Sequence, residues 1–524
     1  MKQQSKHFQR LTALLCALAL TLALVPAASA AGAAPTASKN IGEQGYEGNW
    51  SKIINSYLYP NGQGGLTRVE CQTNAQRTVR SLVVEDYNSA FQMVSRRAVA
   101  LDLPLFGGFF AGSQYNFVVS TQDNLQESDS VEIMRVVKYS KDWQRLGQTS
   151  IYAENSHSPI SFGTLRFTES NGVLYIHTCH TMYKDKNGIN HQSNLTFAIE
   201  EATMVYERLR NFYASHSLDQ YILADRQGNL VALDLVDSYP FRGVVLQRMS
   251  VPVNPDNRWS LSIHDIYGKK GESGTCIAIG GLAETNGSYV TAYTNSWLTP
   301  TQMLGINEAV FLIFTDKASQ TSKELQINAT PGACTPRLVP TGLTGGYVLW
   351  NGGGRSFPND TLYYRTYAEN GTVGELKTAK APMSDCQPIL YNGKVVWYVT
   401  NDSAPIFYTL DETGVKAVKA AAAPGAAELP AVTKAGVPAP NTPKSSKGML
   451  SALVPAAPVS SSGSGMDFLY TPEGTARANA LDKTPCGICG KMATNWVINE
   501  DLTRHVCNAC YQRDFRAAMQ YLDG

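Results

Sequence analysis

The chain of 524 residues carries 44 basic and 43 acidic side chains, and its formal net charge is +1 at pH 7. That balance leaves no overall field that would draw the protein to nucleic acid or to an anionic membrane surface. Only 17% of the residues are charged, whereas Gly, Tyr, Thr and Asn are abundant. This composition favours a β-rich fold with many turns over a helical one.

Residues 1–30 have the three parts of a secretory signal peptide. Lys2, Lys6 and Arg10 precede an apolar run over residues 11–25, and small residues suited to a signal peptidase follow it. No later apolar run approaches the roughly 18–20 residues that a membrane helix needs. We therefore expect an exported protein, secreted or associated with the cell surface, without a transmembrane segment after signal removal.

Composition divides the rest of the chain into four parts. Residues 31–45 are rich in Ala and Gly and are predicted to be a flexible leader, and residues 46–418 carry the signals of short strands and turns. Residues 419–480 are rich in Ala, Pro, Ser and Gly. Such a segment buries too little apolar surface to offset its ordering entropy, so we expect a disordered linker. Residues 481–524 then form a small C-terminal domain.

A unit of two β-rich runs joined by a polar turn recurs through residues 46–418. Its copies begin at intervals of 35 to 80 residues, at Val83, Val136, Phe197, Ala232, Leu312, Tyr364 and Phe407. This period is typical of small sheets in a radial array, each closing its edges against its neighbours. The layout resembles WD-type and kelch-like propellers and predicts a mainly β fold with about seven blades. The alternatives are an eighth blade before Leu312 and a pair of β-sandwiches.

The last four cysteines form the most specific motif in the chain. Cys486 and Cys489 make one Cys-x-x-Cys pair, Cys507 and Cys510 make another, and 17 residues separate the pairs. Two such turns can direct four thiolates at one zinc ion in a tetrahedron. Gly490 suits a tight turn in which a positive φ is needed. Outside the cell, the same thiols have the alternative of forming two disulfides.

This arrangement, with Trp496 between the pairs, resembles the GATA-type treble-clef zinc finger over residues 484–520. The resemblance implies that the four cysteines bind one structural zinc and that the second pair begins a helix over residues 508–522. DNA-binding members have a strongly basic face, whereas residues 481–524 contain five basic and five acidic side chains. Neutralising phosphates supplies most nonspecific affinity for DNA. The charge balance and the signal peptide therefore argue against a GATA-like DNA-binding role.

Histidines and carboxylates are plentiful in the body, but no catalytic template fits them. Five histidines lie between residues 157 and 216, and we interpret them as hydrogen-bonded structural residues. A two-residue hairpin turn at residues 187–188 would set His191 opposite Lys184, on the face of His180 and too far from it to share an ion. The spacing of the carboxylates does not reveal a pair that would flank a glycosidic bond. No catalytic and no cofactor-binding residue is therefore assigned.

The sequence favours an exported noncatalytic binding protein whose propeller binds a protein or a glycan. The alternative is an extracellular hydrolase or lyase that acts on glycans with acids at the propeller axis. Two or three carboxylates that converge at the axis would favour the enzyme. An axis lined by apolar or aromatic side chains would favour the binding protein.

Overall fold

The computed structural model describes residues 33–42, 46–47, 50–73, 80–160, 164–209, 212–251, 258–272, 274–299, 302–303, 309–328, 332–353, 359–434, 485–491, 496–498 and 504–507. All regular structure in these residues is β-strand. No helix among them is long and apolar enough to cross a bilayer.

Seven antiparallel sheets, here called blades 1 to 7, follow one another along the chain, and in each the main strands pair in sequential order. Blade 1 contains Ser56–Pro60, Leu66–Thr73, Arg80–Tyr87 and Gln92–Ala100; blade 2 contains Leu105–Ala111, Asn116–Thr121, Glu132–Tyr139 and Arg145–Tyr152; blade 3 contains Arg166–Ser170, Val173–Lys184, Asn190–Glu200 and Tyr206–Leu209, with Ser156–Ser158 at its edge; blade 4 contains Ser217–Ala224, Leu230–Val236, Gly243–Met249 and Arg258–Asp265. Blade 5 contains Ile277–Glu284, Ser288–Asn295, Ala309–Asp316 and Ser322–Gln326; blade 6 contains Arg337–Gly342, Gly345–Asn351, Thr361–Ala368 and Lys377–Lys380; blade 7 contains Ile389–Tyr391, Lys394–Val399, Ile406–Asp411 and Gly414–Lys419. Shorter hairpins pair Tyr46–Glu47 with Trp50–Ser51, Trp297–Thr299 with Gln302–Met303, and Trp496–Ile498 with His505–Cys507.

The first strand of each blade is the innermost. First strands of neighbouring blades contact one another from blade 3 round to blade 7 and on to blade 1. The sheets are therefore arranged radially around an axis, and the chain is a seven-bladed β-propeller. The predicted fold class is confirmed for the body of the chain.

The core is divided among the gaps between blades. Seven buried apolar clusters each join two neighbouring blades. In the second strand of blade 2, Phe117 and Val119 pack toward blade 3, and Val118 packs toward blade 1. The middle strands are thus covered on both faces, which explains why they read as short apolar runs.

The repeated runs in the sequence correspond to particular strands. Six of the seven lie in the third strand of a blade, whereas the run at Ala232 lies in the second strand of blade 4. The third strand of that blade is Gly243–Met249, so the long interval before Leu312 arises partly from this offset. The hairpin of Trp297–Thr299 and Gln302–Met303, inserted into blade 5, accounts for more of it. The described part of this interval contains no eighth blade.

Both ends of the propeller chain close the ring. The C-terminal strand, Ala421–Glu428, runs parallel to Gln92–Ala100 at the outer edge of blade 1. The N-terminal clasp, residues 33–42, pairs Ser38–Lys39 with Asn401–Ser403 in blade 7. The main-chain N–H of Ala33 donates to the carbonyl of Ala426 at 3.0 Å, so the two ends also bind each other.

Two predicted domain limits need correction. The predicted flexible leader, residues 31–45, contains the ordered clasp, and the predicted linker, residues 419–480, begins with the C-terminal strand. Both segments are held mainly by main-chain hydrogen bonds to strand edges, which need no apolar side chains and leave no signal in composition. The predicted signal peptide, residues 1–30, and residues 435–484 lie outside the described residues.

Candidate functional sites

Two of the predicted zinc ligands lie in a tight turn at residues 485–491. The N–H of Gly490 donates to the carbonyl of Cys486 at 2.8 Å, and the N–H of Cys486 donates to the carbonyl of Lys491 at 3.0 Å. Gly490 has a φ of 67°, a left-handed conformation that strains residues with a side chain. The turn therefore has the compact main chain that a Cys-x-x-Cys pair needs to direct two thiolates at one ion.

The third predicted ligand, Cys507, ends a β-hairpin. Trp496–Ile498 pairs with His505–Cys507, and Trp496 lies opposite Cys507. Cys510 and the predicted helix over residues 508–522 lie outside the described residues, so the zinc ligand set stays a prediction. Within the described residues, no group of three or more His, Cys, Asp or Glu side chains is arranged to hold a metal.

The strands nearest the propeller axis carry few acids. The first strands of the seven blades contain three carboxylates, Glu169, Asp219 and Glu284. Asp219 lies near the start of its strand in blade 4, whereas Glu169 in blade 3 and Glu284 in blade 5 lie at or next to the ends of theirs. Aromatic and aliphatic side chains make up most of the rest, as in the first strand of blade 2.

Asp219 is buried and belongs to an ion pair. Its Oδ1 lies 3.7 Å from Nη2 of Arg166, and it also accepts the main-chain N–H of Gln220 at 2.8 Å. The Arg166 guanidinium lies over the ring of Tyr221, 3.8 Å from its centre. This carboxylate therefore holds an arginine in place between blades 3 and 4.

Residues 50–55 cross the ends at which the first strands begin. Trp50–Ser51 contacts the first strand of blade 4, and the carbonyl of Lys52 accepts a hydrogen bond from the Thr164 hydroxyl, just before blade 3. Ile53 packs against the clusters on both sides of blade 2. The segment thus joins four blades across this end of the axis.

Asp385 is the buried carboxyl whose proton affinity is most altered. It precedes blade 7, is 3% exposed, and its Oδ2 accepts the main-chain N–H of Asn55 at 2.8 Å. Its Oδ1 makes no hydrogen bond within the described part of the chain. Burial is the main cause that raises the pKa of Asp385 to about 7; hydrogen bonds from Asn55 and Ser56 and the charge of Arg337 lower it, and the charge of Glu70 raises it.

Two of the clustered histidines are buried inside blade 3. Nδ1 of His177 lies 2.7 Å from the Thr196 hydroxyl, and Nε2 lies 3.2 Å from Oδ2 of Asp234. Nε2 of His180 lies 2.9 Å from the Ser193 hydroxyl. The prediction that these histidines are hydrogen-bonded is confirmed for His177 and His180.

The predicted hairpin register at His191 is wrong by one residue. Lys184 pairs with Asn190, and a bulge separates this pair from the next. Asp185 causes the difference, because its carboxylate accepts the N–H of Ile189 and closes a wider turn than two residues. His191 instead contacts His216, another of the five histidines, across the strand edge where Ser193 pairs with Ser215.

Comparisons with known proteins supply no family for this chain. No family model matches it, and no curated protein matches it. Among solved structures, 283 chains match. The β-propeller domain of the Trilobed protease from Pyrococcus furiosus is 8% identical over 60% of this chain and 83% of that domain, with a TM-score of 0.36.

A GH43 protein from Bacillus licheniformis is 13% identical over 53% of this chain, with a TM-score of 0.29, and this chain spans 56% of its length. Pyrococcus horikoshii acylaminoacyl peptidase is 11% identical over 60% of this chain and 46% of its own, with a TM-score of 0.35. Likenesses this weak carry no argument about activity. The class of the protein, a seven-bladed β-propeller, follows from the strand order given above.

Proposed function

We propose that this chain is an exported, noncatalytic binding protein whose propeller binds a protein or a glycan. Residues 481–524 hold one structural zinc ion in this proposal. The observation that carries the binding role is the composition of the seven first strands, where apolar and aromatic residues outnumber three acids. A glycoside hydrolase needs two carboxyl groups on opposite sides of one bond, whereas two of these three acids are already paired with cations, Asp219 with Arg166 and Glu284 with Lys317.

The zinc proposal rests on local main-chain geometry. The turn at residues 485–491 is closed by two hydrogen bonds, and the next described element is a hairpin that ends at Cys507. Cys486, Cys489, Cys507 and Cys510 would supply the four thiolates. A segment of this size has too small a core to fold without help, so the zinc contributes folding free energy rather than chemistry.

Native mass spectrometry of the mature chain tests the zinc proposal. We expect a mass excess of one zinc that disappears with a chelator and in Cys486→Ser. Cys71→Ser, which removes a half-buried thiol from blade 1, is the matched control and should retain the ion. Two disulfides in the C-terminal segment, with no bound metal, would refute the proposal.

A glycan-active hydrolase remains the second candidate because of Asp385. A carboxyl whose pKa is about 7 is protonated often enough at neutral pH to act as a general acid. Its Oδ2 already accepts the N–H of Asn55, and its side chain is almost fully enclosed. Substrate would therefore have to displace residues 50–55 to reach it.

Incubation of the mature chain with soluble polysaccharides separates the two functions. A binding protein retards a polysaccharide in affinity electrophoresis and releases no new reducing or unsaturated ends. An enzyme releases such ends, and Asp385→Asn would abolish their release while leaving retardation intact. New ends that also appear with a mock preparation lacking the protein indicate a contaminating enzyme. New ends that appear only with the protein would overturn the noncatalytic proposal.

A further inference from the structure

A cleft of about 550 Å³ opens between the outer strand of blade 5 and the third strand of blade 6. Residues 325–328 line its blade 5 side, and Arg365 and Val373 lie opposite them. Arg365 alternates with Tyr363 and Tyr367 along its strand, and both tyrosines pack into the apolar cluster that joins these two blades. The side chain of Arg365 therefore faces blade 5, within the gap between the blades.

Arg365 is held in place without being neutralised. Its Nη1 donates to the carbonyl of Gly374 at 2.8 Å, whereas its Nε is enclosed and meets no acceptor in the described part of the chain. The guanidinium forms no ion pair with any described residue. A half-buried cation without a counter-charge costs free energy, and an anion bound beside it would offset that cost.

A second cation lies at the rim of the cleft. Nζ of Lys323 lies 3.8 Å from the position that a Cβ would take on Gly371, which lines the cleft. Lys323 is exposed and, like Arg365, forms no ion pair with a described residue. Two cations on facing blades give the cleft a positive potential that attracts anions.

Three acids border the cleft without neutralising these cations. Oε2 of Glu324 lies 2.7 Å from Nδ1 of His264, on the blade 4 side of the strand. Oε2 of Glu369 accepts a hydrogen bond from the side-chain amide of Asn286 at 2.6 Å. Glu375 forms no ion pair with a described residue. The positive charge of the cleft is therefore left for a ligand.

We propose that this cleft binds the carboxylate of an acidic sugar unit, which makes an acidic polysaccharide the glycan that the propeller binds. The inference rests on the binding role proposed above and narrows its ligand. The planar guanidinium of Arg365 suits a carboxylate, which can accept two parallel N–H bonds, and Lys323 adds a point charge. The side chains of Leu325 and Val373 offer apolar surface to the faces of a sugar ring.

The size of the cleft favours a sugar over a folded protein as its occupant. Sites of about 300–1,000 Å³ are typical of small ligands, and this cleft falls within that range. A stable protein interface instead buries about 800 Å² on each partner, which a cleft of this size does not supply by itself. A polysaccharide needs only one or two of its units in the cleft, while the rest of the chain stays in solvent.

Calorimetric titration of trigalacturonate into the mature chain tests the site. We expect binding that weakens with added salt and that is about tenfold weaker for the methyl ester, which has the same rings without the charges. Arg365→Gln should weaken binding about tenfold, because it removes charge-assisted hydrogen bonds to the carboxylate. Lys323→Glu should weaken binding about fivefold, because it sets a negative charge beside the ligand.

Lys416→Glu is the matched control, because Lys416 is an exposed lysine in the outer strand of blade 7. Its affinity for trigalacturonate should equal that of the wild type. If circular dichroism shows that Arg365→Gln is misfolded, Lys323→Glu decides the question. The inference is overturned if the ester binds as tightly as the acid, if the two cleft variants bind as tightly as the control, or if the wild type does not bind at millimolar concentration.

Electrophoresis with neutral polysaccharides separates this inference from the proposed function. If the wild type and Arg365→Gln retard a neutral polysaccharide equally and neither binds trigalacturonate, the inference fails and the binding role survives. Tighter binding of triglutamate than of trigalacturonate, lost in the same variants, would assign the cleft to an acidic segment of a protein and overturn its assignment to a glycan. Failure of every polysaccharide and peptide to bind would count against both.

Discussion

Replacing Arg68 with methionine tests how the ring is closed. Arg68 is fully buried in blade 1 and binds Glu70 and Glu85, each at 2.7 Å. The same guanidinium donates to the carbonyl of Thr36 at 3.1 Å and to the hydroxyl of Ser38 at 2.7 Å, both in the N-terminal clasp. Arg68→Met keeps most of the side-chain volume but leaves two buried carboxylates without their cation and the clasp without its anchor.

The expected cost is large because the charges left behind are uncompensated. Removing one partner of a buried ion pair typically destabilises a protein by about 3–5 kcal/mol. Equilibrium unfolding in urea, followed by the fluorescence of the buried Trp350 and Trp397, measures the change. Arg80→Met alters an exposed arginine of the same blade and should stay within about 0.5 kcal/mol of the wild type. Equal unfolding midpoints for the two variants would refute the reasoning.

Three further outcomes follow from the described residues. Because the pKa of Asp385 is raised to about 7 in the fold, stability should fall by up to about 4 kcal/mol as pH rises from about 4 to above 7. Asp385→Asn should flatten this part of the pH profile in urea titrations. Deleting residues 421–434 should lower the thermal midpoint of the propeller, whereas truncation after residue 434 should not. Gly490→Ala should weaken zinc retention against a chelator, since the φ of 67° at this position strains alanine by about 1 kcal/mol. Equal retention in the variant and the wild type would contradict a role for this turn in zinc binding.

The blade count could be predicted because burial leaves a periodic signal in the sequence. A middle strand lies between two apolar clusters, so it reads as a short apolar run that recurs once per blade. Blade 4 shows the limit of this signal. Its second strand, Leu230–Val236, is buried at every position and outweighs its third strand, Gly243–Met249. The recurring run therefore falls on a different strand in blade 4, although the number of blades agrees with the seven predicted.

The contact between His191 and His216 could not be predicted, because it depends on pairing between two blades. Ser193 of blade 3 pairs with Ser215, just before blade 4, and no pattern in the sequence indicates that pairing. His216 adds a second difficulty, because a left-handed histidine leaves no pattern in the sequence. The four cysteines differ in this respect, because their spacing in the sequence is enough to predict a ligand set.

Closure by both chain ends makes the whole propeller depend on contacts between distant residues. The hydrogen bond between Ala33 and Ala426, and the pairing of Ser38–Lys39 with Asn401–Ser403, join opposite ends of the propeller chain. The entropy of closing so long a loop is modest, since each doubling of length adds only about 0.6 kcal/mol. The main consequence is therefore kinetic. Until blade 7 packs against blade 1, the apolar faces of both blades lack their partners, and such faces favour aggregation. Closure should thus be the step at which the chain becomes resistant to self-association.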